Sequence, residues 1–455
     1  MDIAAVTDLS GAMDVDVIVI GLGPGGESAA TQLAKAGLKV VGIDRRLVGG
    51  ECPYFGCIPS KMMIRAADVL AEARRIQGLA GSADVRPDWS VVADRIRDEA
   101  TDDWDDQVAV ERLEAAGAVF VRGEARITGP GRVEVDGTTY VASHGVVLNT
   151  GTEPAVLPID GLSGSPYWTN REAVRVTELP ASMAVIGGGA IGVELTQAFA
   201  RFGVEVTLLE VADRILAPEE PEASALVTRA LEADGVHVRT GVRIDQVRHD
   251  GRFHLTVDGD SVETDQLLVA AGRRTNLAGI GLDTLGLDET ARSLETDERM
   301  RAGERLWAIG DITGKGAFTH MSMYQADVAV RDILDQDGPA ADYRAVSRVT
   351  FTDPEVGSVG LTEHQARERR GDVRVGLSAD LGTRGWIAKG EGLIKLVADG
   401  DVLVGATAVG PSGGEVLSML TTAVHARVPI ATLASMHYAY PTFHRAVATA
   451  VQELA

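Results

Sequence analysis

The sequence predicts an α/β protein: two three-layer dinucleotide-binding domains followed by an α+β C-terminal domain. Three observations carry this prediction. A strand, a glycine-rich loop, a helix and a second strand follow one another twice, from Asp14 to Asp44 and from Ser182 to Glu210. Each copy ends on an acid 23 residues after its first loop glycine, Asp44 after Gly21 and Glu210 after Gly187. From about Tyr343 onward, strand and helix patterns alternate without a further nucleotide motif.

In chain order, Asp14–Ile20 (DVDVIVI) is a strand pattern that runs into Gly21-Leu22-Gly23-Pro24-Gly25-Gly26. A helical segment, ESAATQLAKAG, and the strand LKVVGID follow. In this Rossmann-like setting Gly21 permits the tight turn, Gly23 lets the backbone approach a pyrophosphate, and Gly26 lets helix and strand pack closely. The helix N-terminus then faces the phosphates, and Asp44 is placed to accept a ribose hydroxyl. The second copy reads Gly187-Gly188-Gly189-Ala190-Ile191-Gly192 between the strand SMAVI and the helix VELTQAFARFG, closed by VEVTLLE. Two fingerprints of matched spacing imply two dinucleotides. Between them, Trp89–Ala116 reads as one charged helical stretch whose acids form a solvated face. The segments AVFVRGEARITG and GRVEVDGTTYVAS read as short strands of a meander.

Bulk properties narrow the class. A chain of 455 residues holds about three domains, and its 45% hydrophobic content is enough to fill several cores. No apolar run reaches the ~18 residues of a membrane span. The N-terminus, MDIAAVTDLSGAMD, has acids, no basic residue and no apolar core of a secretory signal, so Met1–Met13 is expected to form a loose tail. A net charge of -23 argues against nucleic acid or an anionic membrane as partner. With two cysteines in all, the chain fits a reducing cytoplasm, where disulfides are mostly catalytic and transient.

Those two cysteines, Cys52 and Cys57, lie in Gly49–Lys61, GGECPYFGCIPSK. The pattern after Cys57 is that of an amphipathic helix, with Pro59 suited to its first turn. Cys57 therefore stands just before a helix N-terminus, where the helix dipole favours a thiolate and lowers the thiol pKa. Two cysteines can also be small buried hydrophobes. A structural zinc site needs four ligands, and this stretch has no histidine, so no metal site is expected.

The segment GGxCxxxGCxPSK resembles the redox-active segment of the flavoprotein disulfide reductases, the family of dihydrolipoamide, glutathione and mercuric reductases. With the flanking motifs the resemblance covers nearly the whole chain. His144–Pro154 (HGVVLNTGTEP) resembles the exit from the family's flavin domain, with Asn149 where alanine is usual; Gln266–Asn276 (QLLVAAGRRTN) resembles the matching exit from the second unit. Arg305–Gly314 (RLWAIGDITG) resembles the family's second flavin motif.

The resemblance implies FAD on the first unit, held through Gly21, Gly23, Pro24, Gly26, Asp44 and Arg45. Gly50, Glu51 and Lys61 join from the cysteine segment, and Ala125, Thr150 and Gly151 from the region of the first exit. Asp311 would hold the ribityl chain, and the helix starting near His320 would face the flavin pyrimidine ring. It implies NAD(H) on the second unit, through Gly187, Gly189, Ile191, Gly192, Glu210 and Gly272. Glu210 favours NADH because a carboxylate repels a 2′-phosphate, while nearby Arg214 leaves NADPH open. Lys61 and Glu194 match the ion pair beside flavin N5. The implied domains are 1–153 and 276–342 for FAD, 154–275 for NAD(H), and 343–455 for an interface that pairs two subunits as a homodimer.

The C-terminus departs from the family. Where disulfide-reducing members carry His-Pro-Thr-x-x-Glu, this chain reads Tyr440-Pro441-Thr442-Phe443-His444-Arg445. The usual general acid–base and its orienting glutamate are both replaced; Tyr440 or the flanking His437 and His444 are the candidates to stand in. The absence of any later cysteine disfavours mercuric reduction. Four readings follow. Electrons pass from NADH through flavin and a Cys52–Cys57 disulfide to a small disulfide or related thiol oxidant, with Cys57 facing the flavin and Cys52 attacking substrate. Alternatively flavin discharges directly to a quinone, a metal ion or dioxygen. A lipoamide dehydrogenase activity and a non-turnover redox sensor are further alternatives.

Overall fold

In the computed structural model, residues 12–369 and 372–454 are described. The expected tail over Met1–Met13 lies outside these residues up to position 11; Ala12 is buried and Met13 opens the first strand. That strand, Met13–Ile20, is the centre of an eight-stranded sheet. It pairs in parallel with Val40–Asp44 on one side and with Thr138–Leu148 on the other. Val119–Arg122 and Leu306–Ala308 extend the parallel run outward. The expected meander forms as Ala125–Gly129, Arg132–Val135 and Thr138–Leu148, joined antiparallel.

The chain divides into two compact units. Among the described residues the first comprises 12–59, with Arg97–Ala155 and Arg273–Asp342. On one face of its sheet Leu22, Leu33 and Val147 pack with Ala326, Ala329 and Ile333 from the helix Thr319–Ile333. On the other, Ile18, Ile20 and Ile43 pack with Ile127 and Val133 of the meander. Strands covered on both faces read as continuous apolar runs, as in the second half of the first strand, VIVI over residues 17–20, where all four side chains are buried.

The second unit comprises Ser60–Ile96, Val156–Gly272 and the chain from Tyr343. Its four-stranded parallel sheet runs in the order His237–Thr240, Glu205–Glu210, Ser182–Ile186, Gln266–Val269. A three-stranded antiparallel sheet spans Ile244–Thr264, and a five-stranded antiparallel sheet is built entirely from Ser347–Gly410. The helices Gly413–His425 and His444–Gln452 contribute Leu417, Leu420, Val447 and Val451 to the core over that last sheet.

Trp89–Ala116 is not one helix. The helix Trp89–Arg95 continues as a π-turn, Ile96–Ala100, and ends; a second helix starts at Gln107. Asp102, Asp103 and Trp104 between them adopt left-handed backbone conformations. Nor do all its acids face solvent. Asp106 is buried, accepts the Val48 N–H at 2.6 Å, and pairs with Arg122. Among the described residues no helix is long and apolar enough to cross a membrane.

Candidate active site

The first glycine loop is closed by backbone contact. Gly21 has φ +88°, and a Cβ there would stand 2.3 Å from the Asn149 carbonyl oxygen. A Cβ on Gly26 would meet the Gly21 carbonyl at 1.9 Å, so helix and strand approach more closely than any side chain permits. The second loop repeats this. Gly187 lies against the Ala270 carbonyl, and a Cβ on Gly192 would stand 1.8 Å from the Gly187 oxygen. By contrast, nothing lies within 4 Å of a Cβ at Gly189 or Gly151, so both sites leave open space beside the backbone. Loops of this kind fit phosphate groups of bound dinucleotides.

The two acids are held alike. Asp44 accepts the N–H of Leu22 and of Arg46, both at 2.7 Å. Glu210 accepts the N–H of Gly188 at 2.5 Å and of Ala212 at 2.7 Å. In each case one oxygen braces the residue after the first loop glycine and the other braces its own turn. Burial pushes the Asp44 carboxyl above its ordinary value, and the two backbone N–H groups pull it back. Arg214 does not face an open site: its guanidinium donates to the carbonyls of Leu216 and Ala217, at 3.1 and 2.6 Å. Arg45 pairs instead with Glu124 at 2.9 Å, at the surface.

Asn149 is a buried amide at the centre of the first unit. In the orientation that satisfies both ends, its oxygen accepts the Gly26 N–H at 2.9 Å, and its nitrogen donates to the Ile309 carbonyl and to Ser322 Oγ. It therefore ties the glycine loop to the Gly310–Asp311 turn and to the helix behind it. Alanine makes none of these bonds. Asp311 accepts from Thr152 Oγ1 at 2.7 Å, Arg273 donates to the same hydroxyl at 2.7 Å, and Arg273 reaches Glu51 at 3.5 Å. This polar chain links the Asp311 turn to the residue beside Cys52. Thr150 Oγ1 donates to the Asn276 carbonyl, and Ala125 is buried at the start of its strand.

Cys52 lies in a one-turn helix, Glu51–Tyr54, and Cys57, expected just before a helix, is itself the first residue of the helix Cys57–Arg74. Gly50 precedes them with φ +70°; a Cβ there would stand 2.8 Å from Gly23 Cα, so the cysteine segment presses on the first glycine loop. The two cysteines are thiols in side-chain contact. The hydrogen bond with Cys57, and then burial, push the Cys52 thiol well above its ordinary value. A contact the sequence gave no sign of reaches the pair: Thr319 Oγ1 lies 3.5 Å from Cys57 Sγ. His320, next in the same helix, is exposed and stacks on Phe318 at 5.4 Å between ring centroids.

Lys61 stands one turn beyond Cys57 on the same helix. Its ammonium pairs with Glu194 at 2.7 Å and lies over the Phe351 ring. Glu194 is buried and also accepts the Phe351 N–H at 2.8 Å, which fixes its second oxygen. Two residues that the sequence places 133 apart are thus brought together. Ile191 is partly exposed on the first turn of the helix Ala190–Arg201, and Gly272 has nothing within 4 Å of a Cβ. At the C-terminus, Tyr440 is 69% exposed, its hydroxyl near Thr383 at 3.4 Å. His444 opens the last helix, with Arg384 against the adjacent Phe443 ring. Among the described residues no group of three or more His, Cys, Asp or Glu side chains is arranged to hold a metal.

Comparison with known proteins decides what this arrangement belongs to. Residues 15–332 match the model of the pyridine nucleotide-disulphide oxidoreductases, and residues 346–451 match the dimerisation domain of the same group. The chain belongs to this family. The pyridine nucleotide-disulphide oxidoreductases use FAD and NAD(P)H, and this member is an FAD- and NAD(P)H-dependent oxidoreductase of the class I flavoprotein disulfide reductase type. Its relatives include a dihydrolipoyl dehydrogenase of Thermus scotoductus, 34% identical over 464 residues, covering 96% of this chain and 97% of the relative. A mercuric reductase of Staphylococcus aureus is 32% identical over 443 residues, covering 94% and 80%. Among solved structures, LpdA of Mycobacterium tuberculosis superposes with a TM-score of 0.85 at 26% identity, over 97% of this chain and all of that one. The expected α/β fold with two dinucleotide-binding domains and a C-terminal dimerisation domain is that of the family.

Proposed function

We propose that this oxidoreductase passes electrons from NADH, through the Cys52–Cys57 pair, to a small disulfide or a related thiol oxidant. The observation that carries the reading is the thiol pair itself: two cysteines in side-chain contact, the second opening a long helix, pressed through Gly50 onto the first glycine loop. Bound FAD would supply the two-electron link between a nicotinamide and a disulfide. The residues proposed to hold it are those of the Gly21–Gly26 loop, Asp44, the cysteine segment, and the Thr150–Gly151 and Gly310–Asp311 turns. NADH would lie on the Gly187–Gly192 loop, with Glu210 accepting a ribose hydroxyl. The engagement of Arg214 with backbone carbonyls supports NADH over NADPH. On this assignment residues 1–153 and 276–342 form the FAD domain, 154–275 the NAD(H) domain, and 343–455 the interface of a homodimer.

In the oxidative half of the cycle the chain's own atoms are sufficient to describe the bonds. Cys52 sulfur attacks one sulfur of the substrate disulfide; a mixed disulfide forms and one thiolate leaves with the electrons of the broken bond. Cys57 then attacks Cys52 sulfur, releasing the second thiolate and restoring the pair. Lys61, fixed by Glu194, contributes a positive charge one turn beyond Cys57. A catalytic rather than structural pair fits the reducing cytoplasm.

A second reading has its own observation. The interaction with Cys57, and then burial, push the Cys52 thiol above its ordinary value, and the position of the family's C-terminal histidine is Tyr440. Direct discharge from flavin to a quinone, metal ion or dioxygen would avoid that obstacle. The same replacement weighs against a lipoamide dehydrogenase activity, despite relatives of that name. Cys52→Ser separates the two readings: under the first it abolishes NADH-dependent disulfide reduction, and turnover retained on an acceptor panel selects the second.

A further inference from the structure

The break at residues 101–106, within the first unit, is a strained turn. Asp102, Asp103 and Trp104 have φ of +48°, +53° and +59°, three successive residues with side chains in the left-handed region that favours glycine. Such a backbone persists only where its surroundings over-determine it. The Asp103 N–H donates to the Arg97 carbonyl at 2.8 Å, the Asp105 N–H to the Asp102 carbonyl at 3.0 Å, and the Gln107 N–H to the Asp105 carboxylate at 2.8 Å. These bonds shape the turn itself. Two others leave it, and both reach the cysteine segment. The Trp104 indole N–H donates to the Tyr54 carbonyl at 3.0 Å, and the buried Asp106 carboxylate accepts the Val48 N–H at 2.6 Å.

A one-turn helix leaves its last carbonyls without intrahelical partners, and Tyr54 ends the helix Glu51–Tyr54 whose carbonyl Trp104 takes. At the other end, Val48 stands just before Gly49 and Gly50, whose φ of +103° and +70° turn the chain into that helix. Arg122 anchors Asp106 in its turn, with its guanidinium 2.8 and 2.6 Å from the two carboxylate oxygens. Cys52 thus lies between two tethered backbone points, at 48 and 54, and Cys57 follows three residues after the second. We propose that the 101–106 turn braces the redox pair: Trp104 and Asp106 are positioning residues that fix the backbone on either side of Cys52 where it can close a disulfide with Cys57. This deepens the disulfide-reducing reading and rests on it. A fixed backbone keeps one thiol at a high effective concentration beside the other, which favours the disulfide over the dithiol.

The test is the thiol–disulfide equilibrium of the holoenzyme with glutathione at pH 7, quenched with acid, alkylated, and read at Cys52 and Cys57 by peptide mass spectrometry. In that exchange the Cys52–Cys57 bond forms, the S–S bond of oxidised glutathione breaks, and two electrons and two protons pass to two glutathione molecules. Trp104→Phe keeps an aromatic ring and removes the N–H. It is expected to lower the constant for disulfide formation roughly fivefold, the scale of one neutral hydrogen bond. Asp103→Gly relieves a left-handed residue at an exposed position and leaves both tethers in place, so its constant is expected within about twofold of wild type. A constant for Trp104→Phe within twofold of wild type overturns the proposal, and so does an equal fall in Asp103→Gly. Should Trp104→Phe not fold, Asp106→Asn exchanges the charge-assisted bond to Val48 for a neutral one. A fall of roughly threefold is then expected, and an unchanged constant overturns the proposal. A wild-type chain that forms no Cys52–Cys57 disulfide at any glutathione ratio sinks the disulfide-reducing reading itself, and the brace with it. Because NADH takes no part, its failure to reach the cysteines would sink only the electron route.

Discussion

Arg201→Met is the substitution for which the second unit gives the most definite expectation. Arg201 ends the helix that carries Glu194, and its side chain is 2% exposed. Its guanidinium meets Asp68 at 2.7 Å, and Asp234 and Asp353 at 2.8 Å each. Asp68 lies one heptad beyond Lys61 on the helix that Cys57 opens, so this cluster and the Lys61–Glu194 pair join the same two helices. Each contact is worth a gross ~6 kcal/mol at an effective dielectric of 20, most of it cancelled by desolvation. Stranding a buried pair costs ~3–5 kcal/mol; the aspartates keep about a fifth to two-fifths of their exposure, so the expected cost is about 2–4 kcal/mol. Arg75 still pairs with Asp353, and Gln197 still donates to Asp234 at 2.9 Å.

The cost should depend on pH. Burial pushes the Asp68 carboxyl up to about 6, with Arg201 pulling it down. Raised in the folded state, it contributes stability that is complete below ~4 and lost as pH rises through about 6. Asp353 is the reverse: its carboxyl is held below its ordinary value despite burial, by Arg75 and Arg201, so its contribution is present above ~4 and lost on acidification. Without Arg201 three carboxylates face one another at pH 8, whereas at pH 5 Asp68 is protonated. The penalty should therefore be larger at pH 8 than at pH 5. Urea unfolding reports it through Trp89, which packs on Phe199 and Phe202 on either side of Arg201, with Trp89→Phe as the control. A loss below about 0.5 kcal/mol, the range of an ordinary surface change, or equal losses at both pH values would refute the reasoning.

Two further outcomes follow from the glycine loops and their acids. Gly50→Ala forces a Cβ to within 2.8 Å of the Gly23 backbone at φ +70°, where strain of about 1–3 kcal/mol is expected. Flavin retained through dialysis should fall accordingly, and unchanged retention would remove Gly50 from the FAD site. Glu210→Ser should narrow the preference for NADH over NADPH, read as kcat/KM, by roughly tenfold or more, the scale of a hydrogen bond to a charged group. Equal use of both nucleotides by the wild type would contradict the role given to Glu210.

What the sequence made legible were features written in local spacing. Both glycine loops, their terminal acids and the helix after Cys57 depend on neighbours within a few dozen residues, and periodicity reports them directly. The Lys61–Glu194 pair was reachable only by resemblance, since nothing between the two positions encodes their meeting. Thr319 and Arg201 were not legible at all, and Asn149 stood out only as a departure from the usual alanine, with no sign of its partners. Each acts through partners brought close by strand order and helix packing, which leave no periodic trace. The break at 101–106 was hidden for a different reason: its aspartates look like a solvated helical face, whereas Asp106 is in fact turned inward onto Val48 and Arg122.

The central claim is that electrons pass through the cysteine pair, and an anaerobic titration of the holoenzyme with NADH tests it most directly. After one equivalent the account predicts a long-wavelength charge-transfer band while the flavin remains oxidised, the signature of a Cys57 thiolate against the ring. Direct bleaching of the flavin without that band would contradict it.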